Sequence, residues 1–207
     1  MTEILFASNN THKVKEVSML LPSQYHLLGL HDLHWTEDIP EPFDTYEDNA
    51  KAKALFVFEK TGLSCFADDS GLAIDAMNGR PGVFSARYAG DKGNAVANIK
   101  KVLKEMDDIS IRTARFYSII AYINKEGAFT LFKGTVEGTI TYEPIGEGGF
   151  GYDPIFIPQG FFQTFGQLPD LLKNKISHRA IAIQKFVNFL NRETYLYQDI
   201  KDHSRAK

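Results

Sequence analysis

The sequence predicts an α/β fold in which one mixed sheet carries helices on its faces. Two observations support this. Apolar runs alternate with helical periodicity through roughly the first half of the chain, and a run of strand-like segments follows between residues 113 and 142. A last helical stretch near the end supplies a further layer.

Taken in order, residues 4–7 read as a short buried strand. Val14, Val17, Met19, Leu20 and Leu21 then mark an amphipathic helix that Pro22 stops. Residues 25–30 form a weaker strand, and 31–44, with two prolines and several acids, a loop. Thr45 followed by Asp48 is an N-cap pattern opening a helix that Gly62 ends. Residues 64–67 and 72–76 read as two strands flanking Asp68-Asp69-Ser70-Gly71. A Gly- and Pro-rich loop spans 78–93, and a helix 95–106. A meander follows over 113–123, 129–136 and 138–142, turning at Lys125-Glu126-Gly127. A Gly-rich loop at 146–151 precedes a strand at 155–157, and a helix covers 177–192. The reading sets one domain at 1–193 and a polar, peripheral tail at 194–207.

Composition narrows the function classes. The 207 residues are 43% hydrophobic and 24% charged, as in an ordinary globular protein. A net charge of −3 argues against broad binding of nucleic acid. Cys65 is the only cysteine, which excludes an intramolecular disulfide and a cysteine-based zinc site. A reducing, cytoplasmic setting is the expectation. No segment approaches a membrane span, and Met1-Thr2-Glu3 with the short run after it does not read as a secretory leader.

Two segments place cations where a helix disfavours them. Ser8-Asn9-Asn10-Thr11-His12-Lys13 leads into the first helix, and Ser177-His178-Arg179 opens the last. A helix N-terminus carries partial positive charge, so cations there suggest a bound anion. Two such sites far apart in sequence suggest a polyphosphate gripped from two sides.

Further segments carry potential chemistry. Asp68 and Asp69, between apolar stretches, read either as a metal-binding pair or as a hairpin turn. The acidic loop Glu37-Asp38-Ile39-Pro40-Glu41 offers another carboxylate. In Gly146 to Pro154, glycines around Phe150 and Tyr152 let backbone and ring faces approach a ligand, with Asp153 placed to accept hydrogen bonds. Lys173 and Arg87 stand in basic segments suited to phosphate. Together these supply phosphate grips, metal carboxylates and a stacking loop, the set that metal-assisted phosphoanhydride cleavage requires.

In this order the segments resemble the noncanonical purine nucleoside triphosphate pyrophosphatases, also called inosine/xanthosine triphosphate pyrophosphatases. The resemblance rests on Ser8-Asn9-Asn10 through Lys13 and Glu16, residues 45–50, Ala67-Asp68-Asp69-Ser70-Gly71-Leu72, Pro81 through Tyr88, residues 148–156, and Ile176-Ser177-His178-Arg179. It implies two lobes around a central cleft, a homodimer, and Mg²⁺-dependent hydrolysis of ITP, dITP and XTP to monophosphate and pyrophosphate. By position, Ser8, Asn9, Asn10, Thr11, His12 and Lys13 would bind the triphosphate. Glu41 and Asp69 would hold the metal, with Asp69, or Asp68 beside it, taking the proton. Ser70 would touch substrate. Phe150, Gly151, Tyr152 and Asp153 would frame the base. Lys173, His178 and Arg179 would complete base and phosphate contacts.

Two departures stand out. Leu171-Leu172 replaces an acidic pair common before Lys173, and Pro40 replaces one glutamate before Glu41. A pyrophosphatase of Maf-like specificity and a silent nucleotide-binding module are the alternative readings.

Overall fold

The computed structural model describes residues 2–90 and 93–205, with side chains described as far as Glu193. Six strands form one mixed sheet: β1 (Thr2–Phe6), β2 (Tyr25–Gly29), β3 (Cys65–Ile74), β4 (Thr113–Ile123), β5 (Phe129–Ile140) and β6 (Phe156–Pro158). Their spatial order is β2-β1-β3-β4-β5-β6. The first three are parallel and the rest antiparallel. The helices are α1 (Thr11–Leu20), α2 (Tyr46–Thr61), α3 (Ala95–Glu105), α4 (Asp170–Ile176) and α5 (His178–Arg205).

Local chemistry sets the helix limits. The Asn10 side chain accepts the Lys13 N–H at 3.1 Å and caps α1. Thr45 Oγ1 accepts the Asp48 N–H at 3.1 Å, and Gly62 closes α2 in the left-handed region at φ 67°.

Two expectations need correction. Residues 64–67 and 72–76 are not separate strands. Asp68-Asp69-Ser70-Gly71 lies inside β3, which pairs with β4 from Cys65↔Ile123 to Ile74↔Ala114. The segments 129–136 and 138–142 are likewise mostly one strand, β5, running to Ile140. Its glycines mark close approaches rather than breaks. A Cβ on Gly134 would lie 1.8 Å from the His178 carbonyl oxygen, so only glycine lets the start of α5 rest on the sheet. A Cβ on Gly138 would lie 2.5 Å from the Phe156 ring. The backbone of α5 runs as helix to Arg205.

Alternation along β3 divides the core. Cys65 and Ala67 face α2 and pack with Ala50, Ala54 and Val57. Phe66 faces α5 and packs with Ile183 and Phe186. Farther along the same strands, Leu72, Ile74 and Phe116 join Ile99 and Val102 of α3 and Phe156 and Phe165 in a third cluster. Buried Arg112 ties this part together. Its guanidinium donates to the carbonyls of Met106, Ile140 and Thr141 at 3.1, 2.7 and 2.6 Å.

Candidate active site

The site forms where β1 ends. β1 accompanies β3 for only two residue pairs, Leu5↔Cys65 and Phe6↔Phe66. Beyond them one edge of β3 has no neighbouring strand, and a cavity of about 590 Å³ opens beside it. Crevices outside the carboxyl ends of parallel strands are the usual ligand sites of α/β sheets. Ser8, Asn9, Asn10, His12 and Lys13 line it from the turn after β1, and Lys173, His178 and Arg179 from α4 and α5. Glu41, Asp68, Asp69, Ser70, Phe150, Gly151, Tyr152 and Asp153 complete the set expected from the sequence. Thr11 and Arg87 do not line the cavity; the Arg87 guanidinium donates to Glu41 Oε2 at 3.1 Å.

The adjacent aspartates point to opposite faces of the sheet, because successive strand residues alternate. Asp68 points toward α5. Its Oδ1 accepts from Ser118 Oγ at 2.6 Å, and its Oδ2 meets Lys13 Nζ at 2.9 Å and Arg179 Nε at 3.1 Å. One carboxylate therefore joins both helix starts. Burial opposes its charge, but Lys13 and Arg179 outweigh burial and hold the carboxyl well below the usual range.

Asp69 points toward α2. Its Oδ1 meets Lys53 Nζ at 2.7 Å, and the same ammonium holds Glu41 Oε1 at 3.0 Å. Lys53 also donates to the Asp68 carbonyl at 2.9 Å, on the stretch of β3 that β1 no longer accompanies. Asp69 Oδ2 is buried and has no hydrogen-bond partner among the described residues. Burial raises the Asp69 carboxyl above its ordinary value despite Lys53, whose own ammonium is raised because Asp69 and Glu41 outweigh its burial.

Among the described residues no group of three or more metal-ligating side chains forms. The Asp69–Glu41 pair nevertheless suits a hard cation. Both offer carboxylate oxygen, and Oδ2 of Asp69 is a ligand position that no donor among the described residues uses.

The wall formed by α4, α5 and the Gly-rich loop is as densely tied. Glu16 lies behind it, with Oε1 2.6 Å from Lys173 Nζ and Oε2 on Arg179. Lys173 also meets Asp153 Oδ2 at 2.6 Å, and that oxygen accepts the Phe150 N–H at 2.7 Å. Tyr152 is buried and donates to the Ser85 carbonyl at 2.9 Å. His178 stacks on Phe116 with centroids 4.6 Å apart, and its buried Nδ1 has no partner among the described residues. Burial depresses the His178 pKa well below the ordinary value, so the ring is neutral at pH 7. The Leu171-Leu172 replacement leaves Lys173 in place: Leu171 is exposed and Leu172 packs on the third core cluster.

Sequence reasoning missed Lys53 and the part played by Glu16. A signal for Lys53 existed. Asn49, Ala50, Lys53, Ala54 and Val57 form the buried stripe of α2, and a lysine on such a stripe requires a buried acid.

Comparison with known proteins agrees with this architecture. The chain is 47% identical over 188 residues to a dITP/XTP pyrophosphatase of Flavobacterium johnsoniae, covering 91% of this chain and 97% of the relative. A dITP/XTP pyrophosphatase of Porphyromonas gingivalis is 45% identical, with 92% and 98% covered. The solved structure of the Staphylococcus aureus Ham1 protein superposes with a TM-score of 0.84 at 39% identity, covering 93% of this chain and 100% of that one. The family match spans residues 4–189, and so takes in both helix starts, the aspartate strand and the loop that together enclose the cavity: the chain belongs to the Ham1 family.

Proposed function

We propose that this chain hydrolyses noncanonical purine nucleoside triphosphates of the ITP, dITP and XTP type to the monophosphate and pyrophosphate. The observation that carries the reading is the pairing of Asp69, raised by burial and open at Oδ2, with a wall of cationic donors across the same cavity.

Asp69 is the proton acceptor in this reading. Asp68 is clamped as an anion by Lys13 and Arg179, which makes it a poor base, whereas burial raises Asp69 and makes it the better proton acceptor of the two. Mg²⁺ held by Asp69 and Glu41 would neutralise phosphate charge and acidify a water. Lys13 stabilises charge moving onto pyrophosphate from the turn that grips it. Phe150 offers its ring to the base. Lys173 and Arg179 present donors that suit a 6-oxo group; a 6-amino group would meet them donor to donor, and such a polar site discriminates strongly.

The expected setting is the cytoplasm and the expected assembly a homodimer, which light scattering would test. Pyrophosphate release by Asp69→Asn, measured with ITP and Mg²⁺, tests the mechanism; near-wild-type turnover would remove Asp69 from it. A panel of ITP, XTP, GTP and ATP tests specificity, and equal turnover of all four would leave a general nucleotide pyrophosphatase.

A further inference from the structure

The His12 ring lies on the Phe150 ring, centroids 5.1 Å apart and planes 13° from parallel. Both residues line the cavity. Phe150 has two other close neighbours, Lys173 Nζ at 5.0 Å and the Arg179 guanidinium at 5.6 Å from its centroid.

A base that stacks on Phe150 must displace one of these three. Lys173 and Arg179 are buried, and each holds two carboxylates: Glu16 and Asp153 for the lysine, Glu16 and Asp68 for the arginine. Breaking such pairs is costly. His12 is exposed, sits in the first turn of α1, and its ring makes no hydrogen bond or ion pair among the described residues. Nor can a base slide between the rings, since two stacked spacings of about 4.5 Å or more each would be needed. His12 is the neighbour that can leave.

We propose that His12 is a placeholder for the purine: in the ligand-free protein its imidazole covers the stacking surface of Phe150, and the incoming base lifts it off. The inference rests on the reading that Phe150 stacks the base. Its consequence is uniform, because the free energy of lifting His12 is the same whichever base arrives. It weakens every ligand that carries a base by one common factor and leaves base-free polyphosphate untouched. It also disfavours retention of the monophosphate, since the imidazole returns to Phe150 as the product leaves.

The test uses the full-length chain and its His12→Ala variant. KM for ITP and for XTP, and the inhibition constant of IMP, should each fall by the same factor, roughly two- to tenfold for one aromatic pair. The inhibition constant of inorganic tripolyphosphate should stay within about twofold. Weaker binding of both IMP and tripolyphosphate would overturn the proposal and make His12 a phosphate contact, and an unchanged IMP constant would overturn it outright. The stack has its own readout. In the free protein the His12 ring protons should be shifted upfield by Phe150, and the shift should vanish in Phe150→Leu and on adding IMP. An absent shift overturns the proposal even where ITP is hydrolysed. Failure of the wild type to hydrolyse ITP, with the shift present and IMP-sensitive, overturns the activity instead.

Discussion

Lys53 Nζ lies 2.7 Å from Asp69 Oδ1, while buried Asp69 Oδ2 has no partner among the described residues. The lysine fixes one oxygen of the carboxylate and leaves the other for chemistry. It also lowers the Asp69 pKa against the burial that raises it. Lys53→Met removes the lowering influence, so the acidic limb of the kcat/KM profile for ITP should move to higher pH. The same change leaves Asp69 and Glu41 without their shared cation and should cost about 3 kcal/mol or more of stability. Initial rates across pH and urea unfolding read the two effects separately. An acidic limb that stays in place would show that Lys53 does not tune Asp69.

Lys173 joins Glu16 and Asp153 at 2.6 Å each and borders Phe150. Lys173→Met should reduce kcat/KM for ITP by about 10²-fold and change that for ATP far less, because only the 6-oxo base loses a charge-assisted donor. Parallel loss for both nucleotides would mean that Lys173 serves the phosphates alone.

Glu16 supplies a pH dependence of stability. Burial disfavours its charge, but Arg179 and Lys173 outweigh burial and hold the carboxyl at about 2 against an ordinary 4.5. A carboxyl depressed in the folded state stabilises fully above the unfolded value and loses that contribution as the pH falls through the folded one. The contribution, about 3 kcal/mol, is therefore complete above pH 4.5 and gone near pH 2. Urea midpoints measured at intervals through that window should fall steadily, and less steeply in Glu16→Gln. Identical slopes in the two proteins would remove Glu16 from the acid response.

Gly134 tests how closely α5 seats on the sheet. A methyl group there would reach within 1.8 Å of the His178 carbonyl oxygen. Gly134→Ala should destabilise the protein by about 1–3 kcal/mol and, by pushing the start of α5 outward, raise KM for ITP. A neutral result would show that the helix start shifts without consequence.

The sequence made much of this architecture legible. The Thr45–Asp48 cap, Gly62 and the strand at 113–123 stand where the pattern put them. Asp68-Asp69-Ser70-Gly71 was harder, because those residue types favour turns. What overrides them is a ten-residue ladder with β4 and a cation waiting on each face of the strand. The sequence divides β5 just before Gly138, because it does not show the Phe156 ring packed beside that glycine. From sequence α4 shows only as a basic segment, since seven residues give too little periodicity. The cavity-lining residues stand in short, recognisable segments. The partners that fix them, Lys53 and Glu16, were visible only as charges on otherwise ordinary helices.

The cations at the two helix starts do not form an open well of positive charge. Among the described residues that line the cavity, Lys13, Lys53, Lys173 and Arg179 stand against Asp68, Asp69, Glu41 and Asp153, Asp38 adds a fifth carboxylate, and Glu16 lies immediately behind. A bare polyanion entering such a lattice finds each positive group already engaged by a carboxylate. A nucleotide that carries a divalent cation brings its own neutralisation and offers that cation to the acids, so their grip on the lysines is relaxed as the phosphates arrive. Binding should accordingly respond more to divalent cation than to lowered ionic strength, and the protein would recognise the metal–nucleotide complex as one object.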